Sequence, residues 1–331
     1  MSEQVEDHAL DELIHRGDLD GLVRLIDAET STGDWAGLLR LRDRARAAVS
    51  TGRQLWPAAT LAEYRLALWA APEWAARVLD EDSGRFTIGP LTEVVAVHHT
   101  FAELADHLPD GPRRGFVAHE RALRGEPIDA SMLGVDVLEL PLGRQPWEPV
   151  YALAAYTDEG VTADPPPRPA DGQPIASTRP PPHVDDADVT LAVRQLLEAW
   201  TATSNGRVDV VAVEGSAAQA VAALGVHGAT LCPLDTGEAL AWLAWAGASG
   251  GAHGRRRGAA IGRFGAWWLV AALGAALEDW PLPPDEVGEV ATELRWWWWD
   301  AGEPPLGWEL QLAVEDPAEG WAWAISAHDA D

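Results

Sequence analysis

The residues of this chain best suited to chemistry lie in one glycine-rich stretch, Gly250-Gly251-Ala252-His253-Gly254-Arg255-Arg256-Arg257-Gly258. Glycines let a backbone approach a ligand closely. An apolar helical run begins just after them, and a helix N-terminus exposes free N–H groups that favour anions. Arg255, Arg256, Arg257 and, inside the helical run, Arg263 would add donors for phosphate or carboxylate, with His253 as an acid–base. The spacing matches no nucleotide-binding fingerprint. The competing reading is a turn whose arginines pair with acids of the same protein.

A second set is His99, Glu103 and His107. They lie four apart, so on one helix they would share a face and offer metal ligands, completed from elsewhere, for example by His119 and Glu120. The competing reading is a hydrated helix surface carrying His–Glu pairs. Glu214-Gly215-Ser216 follows a predicted strand, but Glu214 and Ala218 stand where a nucleophile elbow needs glycine. Cys232, the one cysteine, reads as a buried thiol, and it excludes an intrachain disulfide and a thiolate zinc site. Glu293, Asp300 and Glu303 are carboxylates close in sequence to a run of tryptophans, at separations the sequence leaves open. No catalytic residue and no cofactor is assigned.

Twelve of the eighteen tryptophans follow residue 240, and four are consecutive, Trp296 to Trp299. The pattern predicts that they close a second helical run after a proline turn. Successive helical residues point about 100° apart, so four tryptophans cover every side of a helix. Trp296 and Trp299, with Asp300, are therefore assigned to an aromatic pocket or a partner interface, where tryptophan is enriched. The competing reading is a helix buried all round.

The elements that must position these residues fall into two halves. Residues 4–31 read as helices, and Arg16-Gly17-Asp18 is echoed sixteen residues later by Thr32-Gly33-Asp34. In each copy glycine stops one helix and aspartate caps the next. Further helices are predicted over 58–71, from Pro72, over 90–108 and over 112–124, giving an all-α stack. Residues 138–156 hold prolines at 141, 146 and 149 and read as an extended segment anchored by Trp147, Val150 and Tyr151. Two proline triplets mark 157–188 as a linker or long surface loop. The second half alternates: helix 189–203, strand 207–213, helix 215–224, strand 229–233, helix 237–248, the two runs described above, and a β-hairpin over 308–314 and 321–325. The expected fold is α+β: a helical domain over 1–156 and a tryptophan-rich α/β or α+β domain over 189–331, with about four strands.

The length of 331 residues and an apolar fraction of 47% suit two domains with real cores. A formal charge of −28 disfavours nucleic acid and anionic membranes and suits a basic partner or a cationic ligand. All 24 basic residues are arginine, so no Schiff-base or phosphate-loop lysine exists. The apolar run after Gly258 is interrupted by Arg263 and is too short to span a bilayer. The N-terminus is acidic and lacks a hydrophobic signal core, which predicts a cytoplasmic chain.

The run from Gly251-Ala252-His253-Gly254-Arg255-Arg256-Arg257-Gly258 through Asp300-Ala301-Gly302-Glu303-Pro304 to Val314-Glu315-Asp316-Pro317 resembles that of an uncharacterised group of actinobacterial proteins. The resemblance implies a bacterial, cytoplasmic origin and brings no activity with it. On the residues alone, the expected function is a non-catalytic binding or interaction protein with an aromatic surface or pocket, taking a protein partner. The alternative is an enzyme or sensor that binds an anionic small molecule at the 250–263 loop.

Overall fold

Helix-forming and helix-stopping chemistry alternates through the first 125 residues and builds a stack. The computed structural model describes residues 2–79, 89–170, 172–176, 181–302, 304 and 307–330, with side chains from residue 8 onward. It divides into two compact units, Met1–Val137 with Ala155–Thr162, and Leu138–Ala154 with Ala163–Asp331. The fold is α+β, with helices in the first unit and an antiparallel sheet in the second.

In the first unit, α1 (Ser2–Arg16), α2 (Leu19–Thr32), α3 (Trp35–Ser50) and α4 (Trp56–Trp69) are followed by the short α5 (Pro72–Ala75). The two Gly–Asp copies do what their chemistry predicts. Gly17 and Gly33 take left-handed φ values of 68° and 72°. Asp18 accepts from Gly21 N at 2.8 Å, and Asp34 accepts from Gly37 N at 2.9 Å. The helix predicted over 90–108 is two helices, α6 (Leu91–His98) and α7 (Phe101–Ala105), before α8 (Pro112–Leu123). The break is a capping box: the Thr100 side chain accepts from Glu103 N, and Thr100 N donates to Glu103 Oε2. A small hairpin of β1 (Ala155–Thr157) and β2 (Gly160–Thr162) completes the unit. The Tyr64 hydroxyl donates to Thr157 O at 2.5 Å, and burial pushes its pKa up to about 12.

In the second unit the strands are β3 (Gln173–Pro174), β4 (His183–Val184), β5 (Arg207–Glu214), β6 (Thr230–Leu234), β7 (Arg295–Asp300), β8 (Trp308–Asp316) and β9 (Trp321–Asp329). They pair antiparallel in the order β3-β6-β7-β8-β9-β5-β4. The predicted hairpin is β8–β9. The proline-rich stretch supplies the two-residue strands β3 and β4 at the sheet edges, where missing N–H donors are tolerated. The helices are α9 (Ala187–Leu196), α10 (Glu198–Ala202), α11 (Ala217–Ala223), α12 (Thr236–Ala248), α13 (Ala259–Leu273) and α14 (Pro284–Glu293).

The tryptophan run is not the end of a helix. It is strand β7, paired with β6 and β8. A strand sends alternate residues to opposite faces, so the four rings divide between the two sides of the sheet. Trp298 packs against Trp242 of α12 with centroids 4.4 Å apart, while Trp299 joins a cluster with Ala217, Ala220 and Val221 of α11. Both faces are covered: Trp296, Trp298 and Trp299 are buried and Trp297 is half-buried. The α12–α13 crossing is close because α13 has a glycine at the contact: a Cβ at Gly262 would stand 2.1 Å from Ala244 O of α12.

Candidate functional site

The glycine loop from 250 to 258 binds a carboxylate, and the carboxylate is the protein's own. Asp329, fully buried on β9, accepts from Ala252 N at 2.6 Å. Gly251 sits at φ 72°, and a Cβ there would stand 2.0 Å from Asp329 Oδ2. Only glycine allows this approach. His253 is exposed, and its amide donates to Ser204 Oγ at 2.9 Å. Arg255 is half-buried and Arg256 buried, and both have interaction partners.

Arg263 is a core residue, 1% exposed. Its Nε and Nη2 meet Glu148 Oε1 and Oε2 at 2.6 and 2.7 Å, and its remaining hydrogens go to the carbonyls of Pro141, Leu142 and Gly143. A guanidinium has five N–H donors, and five bonds account for them. Glu148 also accepts from Trp267 Nε1, the Tyr151 hydroxyl and Gln145 N. Burial pushes the Glu148 carboxyl up, but the Arg263 hydrogen bonds and charge outweigh it and hold the group below the usual range. This network ties the extended segment 138–154 to α13. Trp147 packs against Trp267 with ring centroids 4.7 Å apart and planes tilted by 42°, and Tyr151 is buried, as expected of anchors. Val150 is not an anchor: it is 82% exposed.

Trp296 and Trp299 are buried, with indole N–H groups donating to Ala291 O and Ile325 O. Asp300 ends β7 and accepts from Gly302 N at 2.7 Å. Glu293 is exposed on α14. Glu303 lies outside the described residues. The cavity that Arg257 lines and the cavity that Trp299 lines share no residue.

The face expected of His99, Glu103 and His107 is absent, because His99 is the extended residue just after α6 while Glu103 belongs to α7 and His107 follows it. Glu103 Oε2 is taken by Thr100 N and Oγ1. Burial pushes His99 below its ordinary pKa despite the nearby Glu103 charge. Among the described residues no group of three His, Cys, Asp or Glu side chains is placed to hold a metal ion. Ser216 opens α11 and its hydroxyl donates to Gln219. Cys232 is buried on β6. Among the described residues no helix is long and apolar enough to cross a membrane.

Two cavities flank α13. The first, of 340 Å³, is lined by Arg257 and Glu198 together with Leu196, Ile261, Phe264 and Trp268. Burial lowers the Arg257 pKa, and the Glu198 charge opposes that shift. The second, of 610 Å³, lies where Leu273–Ala275 at the C-terminus of α13 meet the start of α9 and the β8–β9 turn. Trp321 and Trp323 wall it, rings 6.2 Å apart, and Trp323 Nε1 donates to Asp186 Oδ2 at 2.8 Å. Asp185, Asp186, Asp188, Asp316 and Glu319 also line it, with no arginine or histidine among the described lining residues. Ala275 holds a left-handed φ of 52°, strain that non-glycine residues seldom carry.

Sequence reasoning missed most of these cavity residues. One signal was available: Ile261, Phe264, Gly265 and Trp268 follow i, i+3, i+4, i+7 spacing, which marks a second apolar face on α13. The second cavity had no local signal, because three separate segments build it.

Neither the curated proteins nor the solved structures contain a match to this chain. The model of the family of unknown function DUF6183 matches residues 20–331, and the chain belongs to that family.

Proposed function

We propose that the chain is a non-catalytic binding protein that takes an organic cation, an amine or guanidinium group, into the cavity walled by Trp321 and Trp323. The observation that carries this reading is the composition of that cavity: five carboxylates and two indoles. A cation over a tryptophan face gains about 0.5–2 kcal/mol, more as water is excluded. The C-terminus of a 15-residue helix, α13, adds the negative end of a helix dipole. The chain's charge of −28 attracts cations over longer range. The residues that offered catalysis are engaged otherwise: Ser216 caps a helix, Arg263 is saturated, and Trp296, Trp298 and Trp299 fill the core. We further infer an actinobacterial, cytoplasmic setting, on the resemblance of the C-terminal region and the acidic, cysteine-poor composition.

The cation belongs either to a free metabolite or to a basic side chain of a protein partner. Calorimetric titration with tetramethylammonium, spermidine and an arginine-rich peptide separates the two. Asp185, Asp188 and Glu319 are exposed, so Asp185→Asn, Asp188→Asn and Glu319→Gln together leave the melting temperature unchanged. Saturable binding to the native chain that the triple variant loses supports the reading. Equal binding by the triple variant assigns the effect to net charge and overturns it, as does an absence of saturable binding for all three probes.

A further inference from the structure

Helix α13 has two apolar faces. One, with Trp267 and Val270, is buried. The other, Ile261, Phe264, Gly265 and Trp268, is half-exposed where a surface helix ordinarily carries polar groups. It forms one wall of the 340 Å³ cavity, opposite Ala192 and Leu196 of α9. Pockets for small molecules span about 300–1,000 Å³.

This cavity holds one charge of each sign. Arg257 precedes α13, and Glu198 opens α10 just after α9 ends, so both belong to the end where α9 finishes and α13 begins. Arg257 Nη1 donates to the carbonyls of Gln195 and Leu196 at 2.8 and 3.5 Å. Its Nε and Nη2 donate to no group among the described residues. Trp268 lies seven residues beyond Ile261, about 10 Å along the helix. One end of the cavity is therefore dipolar and the rest aromatic and aliphatic.

We propose that this cavity binds a small apolar zwitterion, an α-amino acid with an aromatic or branched aliphatic side chain. Its carboxylate meets Arg257, its ammonium faces Glu198, and its side chain lies along Ile261, Phe264 and Trp268. A lone carboxylate would meet repulsion from Glu198, and a lone amine would meet it from Arg257; a zwitterion complements both charges. The site is independent of the cation cavity, which is lined by the opposite end of α13.

The test is calorimetric titration of the full chain with L-phenylalanine and L-leucine, beside 3-phenylpropanoate and phenethylamine, which each keep one charge. The native chain is expected to bind an amino acid saturably and each single-charge analogue at least about tenfold more weakly. Glu198 is exposed, so Glu198→Gln leaves the melting temperature unchanged. It is expected to weaken the amino acid about tenfold and to narrow the gap to 3-phenylpropanoate. That narrowing is a change a structural role would not produce. Arg257→Gln is expected to lose all three carboxylate ligands; if it melts early through loss of its bonds to α9, the Glu198→Gln result decides. No saturable heat with either amino acid up to about 10 mM overturns the proposal. So does 3-phenylpropanoate binding as tightly as L-phenylalanine to the native chain.

Discussion

Arg263 and Glu148 stand 115 residues apart in sequence and meet in a two-point ion pair, Nε–Oε1 2.6 Å and Nη2–Oε2 2.7 Å, with the side chains 1% and 0% exposed. Every donor of the arginine and both oxygens of the glutamate are used. Removing one partner leaves the other charged and shut off from water, which costs about 3–5 kcal/mol. Arg263→Ala is therefore expected to lower unfolding stability by that amount. The double variant Glu148→Met, Arg263→Met leaves no orphaned charge and is expected to lose less. Fourteen of the eighteen tryptophans lie in the second unit, so urea unfolding followed by tryptophan fluorescence reports on it.

The same pair makes that unit acid-sensitive. The Glu148 carboxyl is held below its ordinary range in the folded chain, chiefly because Arg263 outweighs the cost of burial. A depressed folded pKa contributes stability above the unfolded value of about 4.3. That stability is lost as pH falls through the folded value. Unfolding free energies measured from neutral pH down to about pH 3 are expected to fall less steeply for Glu148→Gln than for the native chain. Many other carboxylates titrate in this window, so the difference between the two slopes is the quantity to read. Parallel slopes would remove Glu148 as a cause.

Gly251 is required by geometry at one carboxylate. Its φ of 72° costs an L-residue about 1–2 kcal/mol. Its missing Cβ also makes room for Asp329 Oδ2. Gly251→Ala is expected to lower the melting temperature, whereas Gly254→Ala meets the backbone of Gly250 at 2.1 Å and disturbs the loop without touching Asp329. Thermal unfolding of both, with and without Asp329→Ala, separates the two effects, because only the Cβ added at position 251 meets Asp329. Partial rescue of Gly251→Ala by Asp329→Ala is expected, since that change empties the space.

What was legible depended on whether one face of an element meets water. The β8–β9 hairpin alternates Trp308, Leu310, Leu312 and Val314 with Glu309 and Gln311, and its register follows that pattern. Asp18 and Asp34 were legible because capping is local chemistry. Trp296–Trp299 were not, because a strand buried on both faces shows no alternation, and a short apolar run fits helix and strand alike. Edge strands β3 and β4 are two residues each and exist only through their partners. The break at Thr100 had a signature in view, Thr100-x-x-Glu103, and the four-residue spacing of His99, Glu103 and His107 concealed it. At the candidate sites, Arg257 was legible from its loop, but Glu148, Glu198 and the Trp321–Trp323 wall gain their roles from chain segments far away in sequence.

The tryptophan run provides the sharpest contrast between a core and an interface. Trp298 is 1% exposed and packs on Trp242 at 4.4 Å, while Trp297 is half-buried on the other face. Truncating a buried tryptophan to alanine costs about 3–5 kcal/mol through lost transfer energy and the cavity left behind. Trp298→Ala is expected to fall in that range and Trp297→Ala below it, in urea unfolding of the purified chain. A surface that served only a partner would give the opposite result, with both variants as stable as the native chain. The strand assignment adds an order that a helix would not: Trp296 and Trp298 on one face and Trp299 on the other are each buried, so all three should exceed Trp297 in cost.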